Sequence, residues 1–126
     1  METQKEKTKL QMPSKSLTVR ILEGDYEIKL PTNGQRIDIE STKINMTNGA
    51  HKDLIFGGPN AQDAYVLVEA IATFSILIPK LKADILKSLL DLDPYQSRSI
   101  PKAYQKYYEW DSQWREFLNQ DLDDEE

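Results

Sequence analysis

The stretch SLTVRILEGDYEIKL, residues 16–30, decides the fold class. Leu17, Val19 and Ile21 alternate with Thr18 and Arg20, and Tyr26, Ile28 and Leu30 alternate with Glu27 and Lys29. A period of two is the signature of a half-buried strand. Leu22-Glu23-Gly24-Asp25 lies between the two runs, and a two-residue turn at Glu23-Gly24 would pair Ile21 with Tyr26, Val19 with Ile28 and Leu17 with Leu30. That register gathers the apolar residues on one face and the charges on the other. A lone hairpin is marginal in water, so its apolar face has to be covered. The segments long enough to cover it lie downstream and read as helices.

Pro31-Thr32-Asn33-Gly34 ends the second strand, and Thr32 or Asn33 can cap a helix through Ile37, Glu40, Ile44 and Met46 that Asn48-Gly49 would stop. Ile37 and Ile39 also alternate, so a short third strand is the alternative there. Residues 50–59 read as a loop. Asn60 then caps the strongest helix, where Ala64, Leu67, Val68, Ile71, Ala72, Ser75 and Ile78 recur at helical spacing. Tyr65, Ala70, Phe74, Ile76 and Leu77 extend its apolar surface almost round the circumference, as in a central helix buried on most sides. Leu81, Ile85, Leu86, Leu89 and Leu90 form a further amphipathic segment that stops at Asp91-Leu92-Asp93-Pro94. The last helical region runs from about Ser99 to about Asn119, with Pro101 in its first turn and a fresh cap at Asp111-Ser112. The expectation is an α+β domain, an N-terminal β-hairpin packed on a small bundle of four to five α-helices, over residues 16–119.

Both ends differ from this body. Residues 1–15 hold Lys5, Lys7, Lys9 and Lys15 with few apolar side chains and read as a flexible basic arm; residues 120–126 read as an acidic tail. The formal net charge of −5 equals the tail acids Asp121, Asp123, Asp124, Glu125 and Glu126, so the rest of the chain sums to zero. A neutral body is a poor match for phosphate backbones, which need a basic face. The chain has no cysteine, which excludes disulfides, thiolate metal sites and a cysteine nucleophile. METQKEKTKLQM lacks an apolar h-region, and the longest apolar run, Val66 to Ile78, is shorter than the ~20 residues of a membrane span and contains Glu69. A protein that stays in the cytoplasm without a membrane is expected.

Catalysis needs groups of complementary roles close together, and the sequence offers singletons. His51 is the single histidine, with Asp53 merely adjacent in sequence, and reads as a polar loop residue. Gly57-Gly58-Pro59-Asn60 precedes a helix, but Ala61-Gln62-Asp63 follows where a phosphate loop has its lysine and hydroxyl, so a turn and cap account for it. Asp91 and Asp93 lack the further oxygen ligands of a calcium loop and read as a solvated turn. No catalytic residue, cofactor or metal ligand is therefore expected.

The densest signal is aromatic. Tyr104, Tyr107, Tyr108, Trp110, Trp114 and Phe117 fall within fourteen positions, interleaved with Lys102, Lys106 and Arg115. One face of such a helix can be core. Alternatively Tyr107, Trp110 and Trp114 form an exposed anchor for a protein partner, since aromatic side chains dominate interface hot spots. A base-stacking surface is the third reading, and the charge balance speaks against it.

The order of parts resembles the tail assembly chaperones of long-tailed bacteriophages. The resemblance is carried by residues 16–40, then AYVLVEAIATFSILIPKL (64–81), then LLDLDPYQ (89–96) leading into KAYQKYYEWDSQWREFL (102–118). It implies a ribbon followed by a helical bundle, and a protein that binds a long helical tape-measure protein and tail-tube subunits before assembly, with self-association as a further expectation. The alternative in the same setting is a structural or accessory virion protein retained in the particle.

Overall fold

A computed structural model of the chain describes residues 10–81 and 88–125. The segment expected between Leu81 and Leu90 therefore falls largely outside the described residues, as do Lys5, Lys7 and Lys9 of the basic arm. The described elements are strands β1 (Ser16–Ile21) and β2 (Gly24–Lys29), helix α1 (Asn33–Thr47), a 3-10 helix (His51–Phe56), α2 (Pro59–Leu77) and α3 (Ser99–Glu125). The hairpin packs on the helices, and the fold is α+β.

The two strands pair antiparallel with Leu17 opposite Ile28, Val19 opposite Tyr26 and Ile21 opposite Gly24. The turn is thus Leu22-Glu23, and the pairing is two residues away from the Ile21–Tyr26 register expected. A slip of two keeps each side chain on its face, so Val19, Ile21 and Ile28 are buried as the alternation requires. The physical reason lies in what the glycine is used for. Leu22, not Gly24, takes the left-handed backbone (φ 56°), and its N–H donates to Ser99 Oγ at 2.8 Å. Gly24 instead makes room: a Cβ there would sit 2.8 Å from the Tyr26 hydroxyl and 2.9 Å from its ring. The Ser99 hydroxyl thereby ties the hairpin turn to the start of α3.

Helix α1 starts at a capping box, with Gln35 N–H donating to Thr32 Oγ1 (3.1 Å) and Thr32 N–H to Gln35 Oε1 (2.9 Å). It ends where Asn48 turns left-handed (φ 53°), and the strand alternative at Ile37 and Ile39 is not what forms. Residues 51–56, read as loop, wind into the 3-10 helix. In α2, Pro59 occupies the first turn behind Gly58, so Asn60 lies inside the helix rather than capping it. Ala70, Ile71, Ala72, Thr73 and Phe74 are buried in succession. Five consecutive residues sweep more than a full turn, so this part of α2 is enclosed all round. No helix among the described residues is long and apolar enough to cross a membrane.

Helix α3 runs without interruption through Asp111-Ser112 and continues to Glu125, past the expected end at Asn119. Asp111 does not cap a new helix because its carboxylate is taken by Arg36 and Arg115. Of the readings of the aromatic cluster, core is the one that forms, and the alternative of an exposed anchor at Tyr107, Trp110 and Trp114 is not. Tyr107, Trp110 and Trp114 are 6%, 6% and 3% exposed and belong to the core with Ile100 and Ala103. Both indole N–H groups donate to the Ser14 carbonyl, and Leu10 N–H donates to Gln120 Oε1 at 2.6 Å. The arm, expected to be free up to residue 15, is tied to α3 by its last described residues. Tyr108 is the ring of the cluster that faces outward, at 60% exposure.

Candidate functional site

Helices α1 and α3 both lie against α2, and between them is a cleft of about 460 Å³. Its α1 wall is Arg36, Ile39, Glu40 and Lys43, spaced three and four apart on the helix face turned toward α2. Its α3 wall carries Tyr104, Tyr107, Tyr108, Asp111, Ser112 and Arg115, again at helical spacing, and its floor is Glu69 and Thr73 of α2. Two charge clusters organise it.

The floor cluster centres on Glu69. Its Oε1 accepts from Tyr104 OH at 2.8 Å; its Oε2 accepts from His51 Nε2 at 2.6 Å and from Lys43 Nζ at 2.9 Å. A second carboxylate, Glu40, takes another Lys43 proton at 2.6 Å. Three separate elements, α1, the 3-10 helix and α3, are thereby fastened to one side chain of α2. Burial pushes the Glu69 carboxyl upward, but the three donors and the Lys43 charge outweigh it and hold the group below its ordinary range. Burial likewise lowers Lys43, and the two carboxylates more than reverse that, so the ammonium is held on. Tyr104 is driven well above the usual phenol value by burial and by its bond to the Glu69 carboxylate.

The mouth cluster centres on Asp111. Arg36 Nη2 donates to Oδ1 and Arg115 Nε to Oδ2, each at 2.9 Å. Arg36 comes from α1, so this contact bridges the cleft. Arg115 lies one turn beyond Asp111 on α3 and is mostly exposed. Beside them the Tyr107 hydroxyl is pushed up to about 12 by burial and by the Asp111 charge.

His51 departs furthest from its reading as a polar loop residue. It is buried, its ring lies on Tyr65 with centroids 4.4 Å apart and planes within 5°, and Glu69, not Asp53, is its carboxylate. An ionised Glu69 puts the proton on Nε2, which leaves Nδ1 facing inward, sealed from solvent and without a hydrogen-bond partner. The pair is therefore a tie between the 3-10 helix and α2. A general base needs an open path to the proton it removes, and this nitrogen has none.

Of the residues singled out from sequence, Tyr107 lines the cleft, while Trp110 and Trp114 point toward Ser14. Asp93 caps a turn, its Oδ1 accepting from Gln96 N–H at 2.8 Å. Gly58 sits at the α2 N-terminus with Asp63 exposed further along. Sequence reasoning missed Arg36, Lys43, Glu69 and Asp111 as a set. A signal existed for one of them: Glu69 is the one charged residue within the apolar run from Val66 to Ile78, and a buried charge requires partners. Which partners it finds is decided by tertiary packing. No group of three or more His, Asp or Glu side chains among the described residues is placed to hold a metal ion.

No protein-family model, no curated protein and no solved structure matches this chain.

Proposed function

We propose that the protein is a protein-binding assembly factor, of the tail assembly chaperone type that its order of parts resembles, and that it binds a long helical tape-measure protein together with tail-tube subunits. The observation that carries this reading is apolar surface left over once the core is complete. Ile37 and Ile44 stand one heptad apart on the outward face of α1 at 66% and 56% exposure, and Phe56 of the 3-10 helix is 87% exposed. Isolated surface hydrophobics are ordinary, but α1 buries only Ile39 and Lys43 and points two further isoleucines outward, more apolar surface than its own packing uses. A factor that shields apolar helices of another protein needs such side chains outside. The sealed Nδ1 of His51 and the fully engaged carboxylates of Glu69 and Asp111 support a role without a catalytic step.

Co-expression with the tape-measure protein encoded in the same genome tests the reading. The expected result is a soluble complex that co-elutes, and its loss when Ile37, Ile44 and Phe56 are replaced by aspartate. An insoluble tape-measure protein and no co-elution would overturn it. The second reading, an accessory protein retained in the virion, predicts that mass spectrometry finds the chain in purified particles; an assembly factor is absent from them.

A further inference from the structure

The hydrogen-bond balance of the α1–α3 cleft is lopsided. All four carboxylate oxygens of Glu69 and Asp111 are already engaged, by Tyr104, His51 and Lys43 on one and by Arg36 and Arg115 on the other. Donors remain in surplus. Each guanidinium carries five N–H groups and spends one on Asp111, and the hydroxyls of Tyr107, Tyr108 and Ser112 line the cleft without a bond to any described residue. The cleft lining is formally neutral but polarised: two carboxylates, Glu40 and Glu69, share Lys43 at the floor, while two guanidiniums share the single Asp111 carboxylate at the mouth, which leaves one positive unit there.

We propose that this cleft is a carboxylate-binding site, in which Arg36 and Arg115 grip the anion and the Tyr107, Tyr108 and Ser112 hydroxyls complete its hydrogen bonds. Asp111 acts as the positioning residue. It pins both guanidiniums before the ligand arrives, so little side-chain freedom is lost on binding. Guanidinium is the group best matched to a carboxylate because its parallel N–H bonds meet both oxygens. A cleft of about 460 Å³ holds a carboxylate together with several carbons, and the tyrosine rings offer apolar walls to them. A free small organic acid and an acidic side chain of a polypeptide present the same chemistry, and the site does not depend on the assembly reading.

The test is an NMR titration of the full chain, following the Nε–H signals of Arg36 and Arg115 and the backbone amides of the cleft. The probes are succinate, a blocked peptide with one glutamate, uncharged succinamide, and sodium chloride at matched ionic strength. Saturable shifts confined to the cleft with succinate or the peptide, and none with succinamide, are expected. Tighter binding of the peptide assigns a polypeptide source, and tighter binding of succinate a small-molecule one. Arg115→Gln and Tyr108→Phe alter exposed side chains and should keep the fold; the first should weaken binding at least about tenfold, the loss expected for one charge-assisted contact. Shifts no larger than those from sodium chloride, or unchanged binding in Arg115→Gln, overturn the site.

Discussion

Trp110 and Trp114, one helical turn apart on α3, donate their indole N–H groups to the same carbonyl oxygen, that of Ser14, at 2.8 and 2.9 Å. A carbonyl has two lone pairs, so a single backbone group from the arm satisfies both buried rings. The rings are consequently core residues on one side and fasteners of the arm on the other.

Removing residues 1–14 should strand both indole donors. A buried donor without an acceptor costs about 1–3 kcal/mol, and two are affected. Urea unfolding of the shortened chain should show that loss, together with a red-shifted tryptophan emission as water reaches the rings. Removing residues 1–9 leaves the Ser14 carbonyl in place and should keep both indole hydrogen bonds.

Glu69 and Lys43 should behave as a coupled pair. Lys43→Met leaves the buried Glu69 carboxylate without its lysine, and Glu69→Gln leaves Lys43 with Glu40 alone; the first should cost about 3 kcal/mol and the second less. The double variant should recover part of the loss, because neither charge then remains alone. A double-mutant cycle by chemical denaturation measures the coupling. Strict additivity would mean that the pair is not a unit.

Acid should weaken the fold through the same carboxylate. The folded state holds Glu69 below its ordinary value of 4.5, so the group's stabilisation is fully present above that value. It is lost as pH falls from there through the folded-state value, because the unfolded chain takes up the proton first. Thermal midpoints recorded against pH should fall along this acid limb, and Glu69→Gln should flatten the limb. An identical acid limb in the variant would assign the loss to other carboxylates.

Alkali acts through the phenols. Tyr65, Tyr104 and Tyr107 are all raised above 10, chiefly by burial, with Tyr107 at about 12. A raised value means stability is intact below 10 and drains away as pH rises toward the folded-state values. Phenolate absorbance should show Tyr65, Tyr104 and Tyr107 ionising above 10, the last of them with unfolding. Tyr104 and Tyr107 ionising near 10 would contradict the burial.

The parts of the fold that follow a strict period were legible in the sequence. Val19, Ile21 and Ile28 were placed on the buried face even though the pairing was off by two residues, because a slip of two leaves the faces alone. The turn was misplaced because Gly24 is used to admit the Tyr26 ring, a contact that no local pattern announces. The start of α1 at Thr32 and its stop at Asn48-Gly49 were legible because caps are local chemistry. The cleft was not. Lys43, His51, Glu69 and Tyr104 come from four elements, and their meeting depends on how the helices dock. The aromatic run at 104–117 could be core or surface on periodicity alone; what decides it is the carbonyl of Ser14, far away in sequence.

The bond between Leu10 N–H and Gln120 Oε1 brings the first and last described stretches of the domain side by side. A chain that ended at Gln120 and one that began at Leu10 would therefore have adjacent ends. Joining Gln120 to Leu10 with a short linker, without residues 1–9 and 121–126, and reopening the chain at Asn48-Gly49 should yield a circular permutant with the same core.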